Sequence, residues 1–141
     1  MRDFSYASKV TLSKGMLIDL ISDATETGFY GIGFWGAENG TKNPEDWGKA
    51  KAKVVAEKGE DNCYYCDIFY QALEDGATII IKDVEEEDGP WELTWEKLEQ
   101  GCKLFERKIG NIERKMEQGD FDSLDAQLIF QYALFGEEVY A

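Results

Sequence analysis

Seven residues of the second half, Trp95, Leu98, Cys102, Phe105, Ile109, Ile112 and Met116, recur at spacings alternating between three and four. That rhythm keeps apolar side chains on one stripe of an α-helix and on no single face of a strand. It predicts a long amphipathic helix over about 95–118, with Gly101 and Gly110 as places for a bend. Such a stripe must be covered. In a chain of 141 residues, the size of one domain of roughly 100–200, the nearest cover is the chain's own core. Trp95, Leu98, Cys102, Phe105, Ile109 and Ile112 are therefore expected to face inward. A seam for a partner helix, a homo-oligomer included, is the other use of a heptad stripe.

The remaining elements follow from shorter signals. Residues 8–13 alternate polar and apolar and read as a strand. Ser13 is a good N-cap for a helix over 14–27 with Met16, Leu17, Leu20, Ile21 and Ala24 on one face. The segment 38–51 is loop-like, with Asn39-Gly40 and Asn43-Pro44 as turn signals, although Pro44 also suits a first helical position. "KAKVVAEKG" alternates as an edge strand would, its lysines blunting edge pairing. Cys63, Cys66, Phe69, Tyr70 and Leu73 lie at helical spacing before Gly76. The β-branched run 77–88, "GP" and "WELT" predict an antiparallel hairpin over about 77–94. Thr94 would cap the long helix. Ser123 would cap a last one that buries Leu124, Leu128, Ile129, Tyr132 and Phe135 and stops at Gly136. Helices packed with a small antiparallel sheet make a single α+β domain over 1–141.

Charge narrows the choice of partner. The net charge is −14. Residues 1–58 hold eight acids and eight bases, and residues 59–141 hold 21 acids and seven bases, so the whole imbalance falls in the second part. Such a surface repels phosphates, which argues against direct duplex DNA binding, and it attracts basic surfaces. No apolar run approaches the roughly 20 residues of a membrane span. The first residues lack the apolar stretch of a signal peptide, and a host-cytosolic location is expected.

Catalytic and metal chemistry find little support. Histidine is absent, which removes the commonest general base and metal ligand. The nucleophile-elbow, Walker and paired-histidine motifs are missing too. No catalytic residue, cofactor or metal is expected. Cys63 and Cys66 form a Cys-x2-Cys, half of a zinc set, with only Cys102 to add. Two small residues on a buried helix face is the plainer reading. "GFYGIG" holds Gly-x-x-Gly-x-Gly but follows a predicted helix, unlike a phosphate cradle. The acids of 83–88 lack the glycine-turned spacing of a calcium loop.

Three stretches, "ATETGFYGIGFW", "DVEEEDGPWELTWEKLEQG" and "DAQLIFQYALFGEEVYA", together resemble a broad group of small phage and prophage accessory proteins with no assigned chemistry. Asp125, Gln131, Phe135, Gly136, Glu137 and Tyr140 match its closing motif. Ala141 stands where the group often has glycine, and Trp95 where it has a smaller apolar residue. The resemblance implies a gene carried by a phage or mobile element. It also implies that the glycine-aromatic stretch packs backbone on backbone with the first and last helices, a ligand loop being the alternative.

Two functions from different classes are then open. The first is a counter-defence inhibitor of anti-restriction or anti-CRISPR type. Its acidic surface (Asp83, Glu85, Glu86, Glu87, Asp88, Glu92 and Glu96) would act as a DNA mimic in the basic nucleic-acid channel of a host protein. The second is a sponge for a small nucleotide signal. Phe34, Trp35 or Trp47 would stack on the base, and Arg107 and Arg114 would hold phosphate.

Overall fold

The computed structural model describes residues 12–26, 32–34, 40–83 and 89–139, with the backbone alone at 26, 32–34 and 83. The chain divides into two compact units, one made of Met1–Tyr30 with Glu96–Ala141 and the other of Gly31–Trp95. The architecture is α+β.

The discontinuous unit is helical among its described residues. Helix α1 (Lys14–Glu26) begins where Ser13 Oγ accepts from the Met16 amide at 3.2 Å, the cap expected from the sequence. Leu17, Leu20, Ile21 and Ala24 are buried, and α1 packs on α6 (Ser123–Phe135). Helix α6 opens with a reciprocal box: Asp122 Oδ1 accepts from the Asp125 amide at 3.0 Å, and Asp125 Oδ2 accepts from the Asp122 amide at 3.3 Å. It closes at Gly136, whose φ of 74° is a conformation that suits glycine. Ile129 and Tyr132 are buried as expected, together with Ala126, Phe130 and Ala133, whereas Leu128 and Phe135 are half-buried and Leu124 is 55% exposed.

The 95–118 stripe is helical but in two pieces. Helix α4 (Trp95–Lys108) stops before Gly110, and Asn111 starts α5 (Ile112–Glu117) by accepting from the Arg114 amide at 2.8 Å. Glu106 Oε2 also reaches forward to accept from the Ile112 amide at 3.0 Å. Trp95, Leu98, Cys102, Phe105 and Ile112 are buried as expected. Ile109 is not. It sits just past the end of α4 and is 51% exposed, because the helix that would have turned it inward has ended. A Cβ on Gly101 would lie 2.6 Å from the Ile129 carbonyl oxygen and 2.8 Å from the Ala133 amide nitrogen. Here α4 approaches the backbone of α6.

The contiguous unit holds a three-stranded antiparallel sheet in the order β1 (Ile32–Phe34), β2 (Ile79–Asp83), β3 (Trp91–Leu93). Ile32 pairs with Asp83 and Phe34 with Ile81, while Ile79 pairs with Leu93 and Ile81 with Trp91. The 77–94 hairpin is therefore present. Ile79, Ile81 and Leu93 are fully buried, the inward face of an alternating strand.

The expected edge strand at "KAKVVAEKG" is instead part of α2 (Pro44–Lys58). Asn43 caps it by accepting from the Glu45 amide at 3.1 Å, and Pro44 takes a first-turn position. The residues α2 buries are Trp47, Ala50 and Val54, an i, i+3, i+7 stripe that outweighs the local alternation. After a single 3-10 turn at Glu60–Asn62, helix α3 (Tyr65–Glu74) packs on α2. The strand expected at 8–13 falls mostly outside the described residues; Leu12 and Ser13 form no strand, and Leu12 is buried.

Candidate functional site

Of the expected acidic contact, Asp83 ends β2, and Glu85, Glu86, Glu87 and Asp88 lie outside the described residues. They occupy the sequence that joins two strands paired antiparallel in space. Glu92, in β3, is paired: its Oε2 accepts from Lys42 Nζ at 3.1 Å, with both side chains about half exposed or more. An exposed pair of this kind leaves the carboxylate largely hydrated. Glu96 is exposed in the first turn of α4.

The expected nucleotide pocket is corrected at its centre. Trp47 is only 6% exposed, so its ring offers no open face for a base. It packs against the Tyr65 ring, 5.0 Å between centroids, and lies so close to Gly40 that a Cβ there would come within 2.9 Å of it. Aromatic residues in a loop-like sequence suggested a surface platform, but the capped α2 turns this one into core. The side chain of Phe34 and the whole of Trp35 fall outside the described residues. Arg107, in the last turn of α4, and Arg114, on α5, are exposed. They belong to the helical unit, whereas Phe34 and Trp47 belong to the sheet unit.

Neighbouring bases are engaged locally: Lys115 Nζ stands 3.6 Å from Asp125 Oδ2, and Lys108 Nζ lies 5.8 Å from the Tyr132 ring centre. Cys63 precedes α3 and Cys66 lies in its first turn, both half-buried, so they are not a pair on one buried helix face. Cys102 is fully buried, and burial pushes its thiol well above the ordinary value of 9.0. Among the described residues no group of three or more carboxylates, thiols or imidazoles is placed to hold a metal ion. No described helix is long and apolar enough to cross a membrane.

The sheet unit carries an ion pair between the exposed Lys58 and the buried Asp67. Asp67 is 5% exposed and accepts from Lys58 Nζ at 2.9 Å and from the Tyr64 amide at 3.2 Å. The hydrogen bond that Lys58 donates to Asp67 raises the Lys58 pKa, against a smaller lowering by burial. This pair ties the end of α2 to the start of α3. A cleft of about 480 Å³ in the same unit is lined by Asp46, Lys49, Ala52, Lys53, Asp75 and Ala77. Lys53 and Asp75 bridge at 3.0 Å, so its charges are matched internally.

One site that the sequence reading missed lies in the helical unit. A groove of about 470 Å³ is lined by Met16, Asp19, Ser22 and Asp23 of α1, Met116 and Glu117 of α5, and Phe121. Met16 was expected in the core; it is half-buried here. The available signal was Met16, Asp19 and Asp23 at i, i+3 and i+7, two acids continuing the stripe of one apolar residue.

No family model, curated protein or solved structure matches this chain.

Proposed function

We propose that this protein is a non-enzymatic, phage-type counter-defence protein that binds a basic host factor acting on nucleic acid and inhibits it. The observation that supports this reading most is the distribution of charge over the folded units. The helical unit has fourteen acids against nine bases, and the sheet unit has fifteen acids against six bases. Within the sheet unit, α2 holds four of those lysines and only three acids. The rest of that unit is left with twelve acids and two bases, and five of the acids fall at Asp83, Glu85, Glu86, Glu87 and Asp88. A high density of carboxylates on one connection is a short-range substitute for a phosphate backbone. It would speed the approach to a positively charged channel.

The test replaces Glu85, Glu86 and Glu87 by lysine and measures inhibition of restriction and RNA-guided cleavage, with phage survival as the cellular readout. Inhibition and survival should both be lost while the melting temperature holds, and wild-type association should slow as salt shortens the Debye length below about 8–10 Å. The rival nucleotide-sponge reading expects the reverse pattern, in which this variant stays active and Arg107→Ala or Arg114→Ala is inactive. That reading is weakened by the burial of Trp47.

A further inference from the structure

We infer that the corner formed by the end of α4, α5 and the start of α6 is an interface at which two copies of this chain pair about a two-fold axis. The corner is assembled by contacts within the helical unit. Lys108, at the end of α4, lies 5.8 Å from the Tyr132 ring centre, and Lys115 of α5 stands 3.6 Å from Asp125 Oδ2. Asp125, Leu128 and Tyr132 fall at i, i+3 and i+7, one flank of α6. The end of α4 and the middle of α5 therefore lie along that flank. The following turn folds back on α5, because the Asp120 amide donates to the Lys115 carbonyl at 2.8 Å. Ile109 and Leu124 both stand more than half exposed at this corner, with Leu128, one turn on from Leu124, half-buried.

The order of the charges identifies the occupant. From 107 to 115 every exposed charged residue is a base: Arg107, Lys108 and Arg114. From 116 to 124 every one is an acid: Glu117, Asp120 and Asp122. Among the described residues the side chains of Arg107, Arg114, Glu117 and Asp120 have no ion pair. An all-basic partner is opposed by the first set, and nucleic acid or an all-acidic partner by the second. A surface with the same charges in reverse order meets both, and a second copy of this chain, turned antiparallel, is such a surface. Arg114 and Glu117 lie one turn apart on α5, so each faces the other's counterpart across the axis, and Arg107 faces Asp120 of the second copy. An isologous contact makes every pairing twice. It also brings Ile109 against Leu124, an apolar centre of the kind that stable interfaces bury. Net charge opposes the pairing at long range, since each copy carries −14. At physiological salt, however, a Debye length of about 8 Å leaves the local pattern in control. The pairing does not rest on what the acidic connection at 83–88 binds.

Sedimentation equilibrium of the full chain at physiological salt is the test. The wild type should be a dimer in equilibrium with monomer. Arg107→Glu/Arg114→Glu and Glu117→Lys/Asp120→Lys should each raise the dissociation constant by about tenfold or more. An equimolar mixture of the two variants should restore pairing, because each reversal then meets the other. All four positions are exposed, and circular dichroism checks that the helices remain. The first variant is more negative than the wild type and the second less so, and general repulsion alone would therefore weaken one dimer and strengthen the other. That divergence would overturn the proposal, as would a monomeric wild type or a mixture that stays monomeric. Leu124→Gln changes no charge and should weaken pairing too; wild-type affinity in that variant places the axis elsewhere and overturns the assignment.

Discussion

Two glycines inside helices should respond to alanine with opposite signs. In an open helical position, Gly→Ala stabilises by about 0.5–1 kcal/mol, because alanine has less backbone freedom to lose on folding. Gly48 of α2 meets that condition: a Cβ there would find no atom within 4 Å. Gly101 of α4 does not. Its Cβ would come within 2.6 Å of the Ile129 carbonyl oxygen and 2.8 Å of both the Ala133 amide nitrogen and Ala133 Cβ. Non-bonded carbons rest at about 3.5–4.0 Å. These neighbours include α6 backbone, which cannot swing aside as a side-chain tip can. Overpacking of this kind costs about 1–3 kcal/mol, and the upper half of that range applies where backbone must move. Offset by about 1 kcal/mol of helix propensity, Gly101→Ala should lose a net of about 1–2 kcal/mol. Urea denaturation followed by far-ultraviolet circular dichroism reads both signs. With a slope of about 1–3 kcal/mol per molar, the midpoint should fall for Gly101→Ala and rise for Gly48→Ala. A neutral or stabilising Gly101→Ala would refute the close approach of α4 to α6.

Two further outcomes are expected. Phe105 is fully buried and meets the Phe121 ring at 6.2 Å between centroids, so Phe105→Ala should cost about 3–5 kcal/mol by the same denaturation. A cost near zero would mean that the stripe is not core at this position. Stability should also fall at alkaline pH. Burial raises the Tyr65 and Tyr70 phenols above their ordinary 10.0, and the Asp67 hydrogen bond raises Lys58 above 10.5. Raised values mean that the folded chain holds these protons more tightly than the unfolded one, so their contribution is complete below pH 10 and is lost above it. The melting temperature should therefore drop beyond pH 10, with the Tyr65 and Tyr70 phenolates appearing in the ultraviolet only on unfolding. Phenolate formation at the ordinary value in the folded chain would contradict this.

The sequence revealed the elements where one local signal dominated. Ser13 marked the start of α1, the 77–94 hairpin followed from β-branched residues around a Gly-Pro turn, and the 3-4 stripe placed Phe105 and Cys102 in the core. It misled where two periods overlap. In "KAKAKVV", lysine and alanine alternate, yet only Ala50 and Val54 are buried, and Ala52 is exposed. Alanine is small enough to satisfy either pattern, and the deciding signals were the cap at Asn43 and the buried Trp47 at the fourth residue of the helix. The same tryptophan misdirected the pocket reading. Ile109 continued the spacing of the stripe after the helix carrying it had ended. The groove escaped notice because its halves, on α1 and α5, lie about a hundred residues apart in the chain, and no local periodicity reports such a meeting.

The division of the chain has a consequence for its synthesis. The sheet unit is one continuous stretch, but the helical unit needs α1, which precedes that stretch, and α6, which follows it. At about 5–20 residues per second, the 97 positions from Glu26 to Ser123 take about 5–20 s to appear. During that interval Leu17, Leu20 and Ile21 of α1 lack the helix that covers them, while the whole of residues 31–95 has emerged and can fold. The nascent chain can therefore form its sheet first, with an uncovered apolar helix N-terminal to it. That helix is the segment a ribosome-associated chaperone would meet.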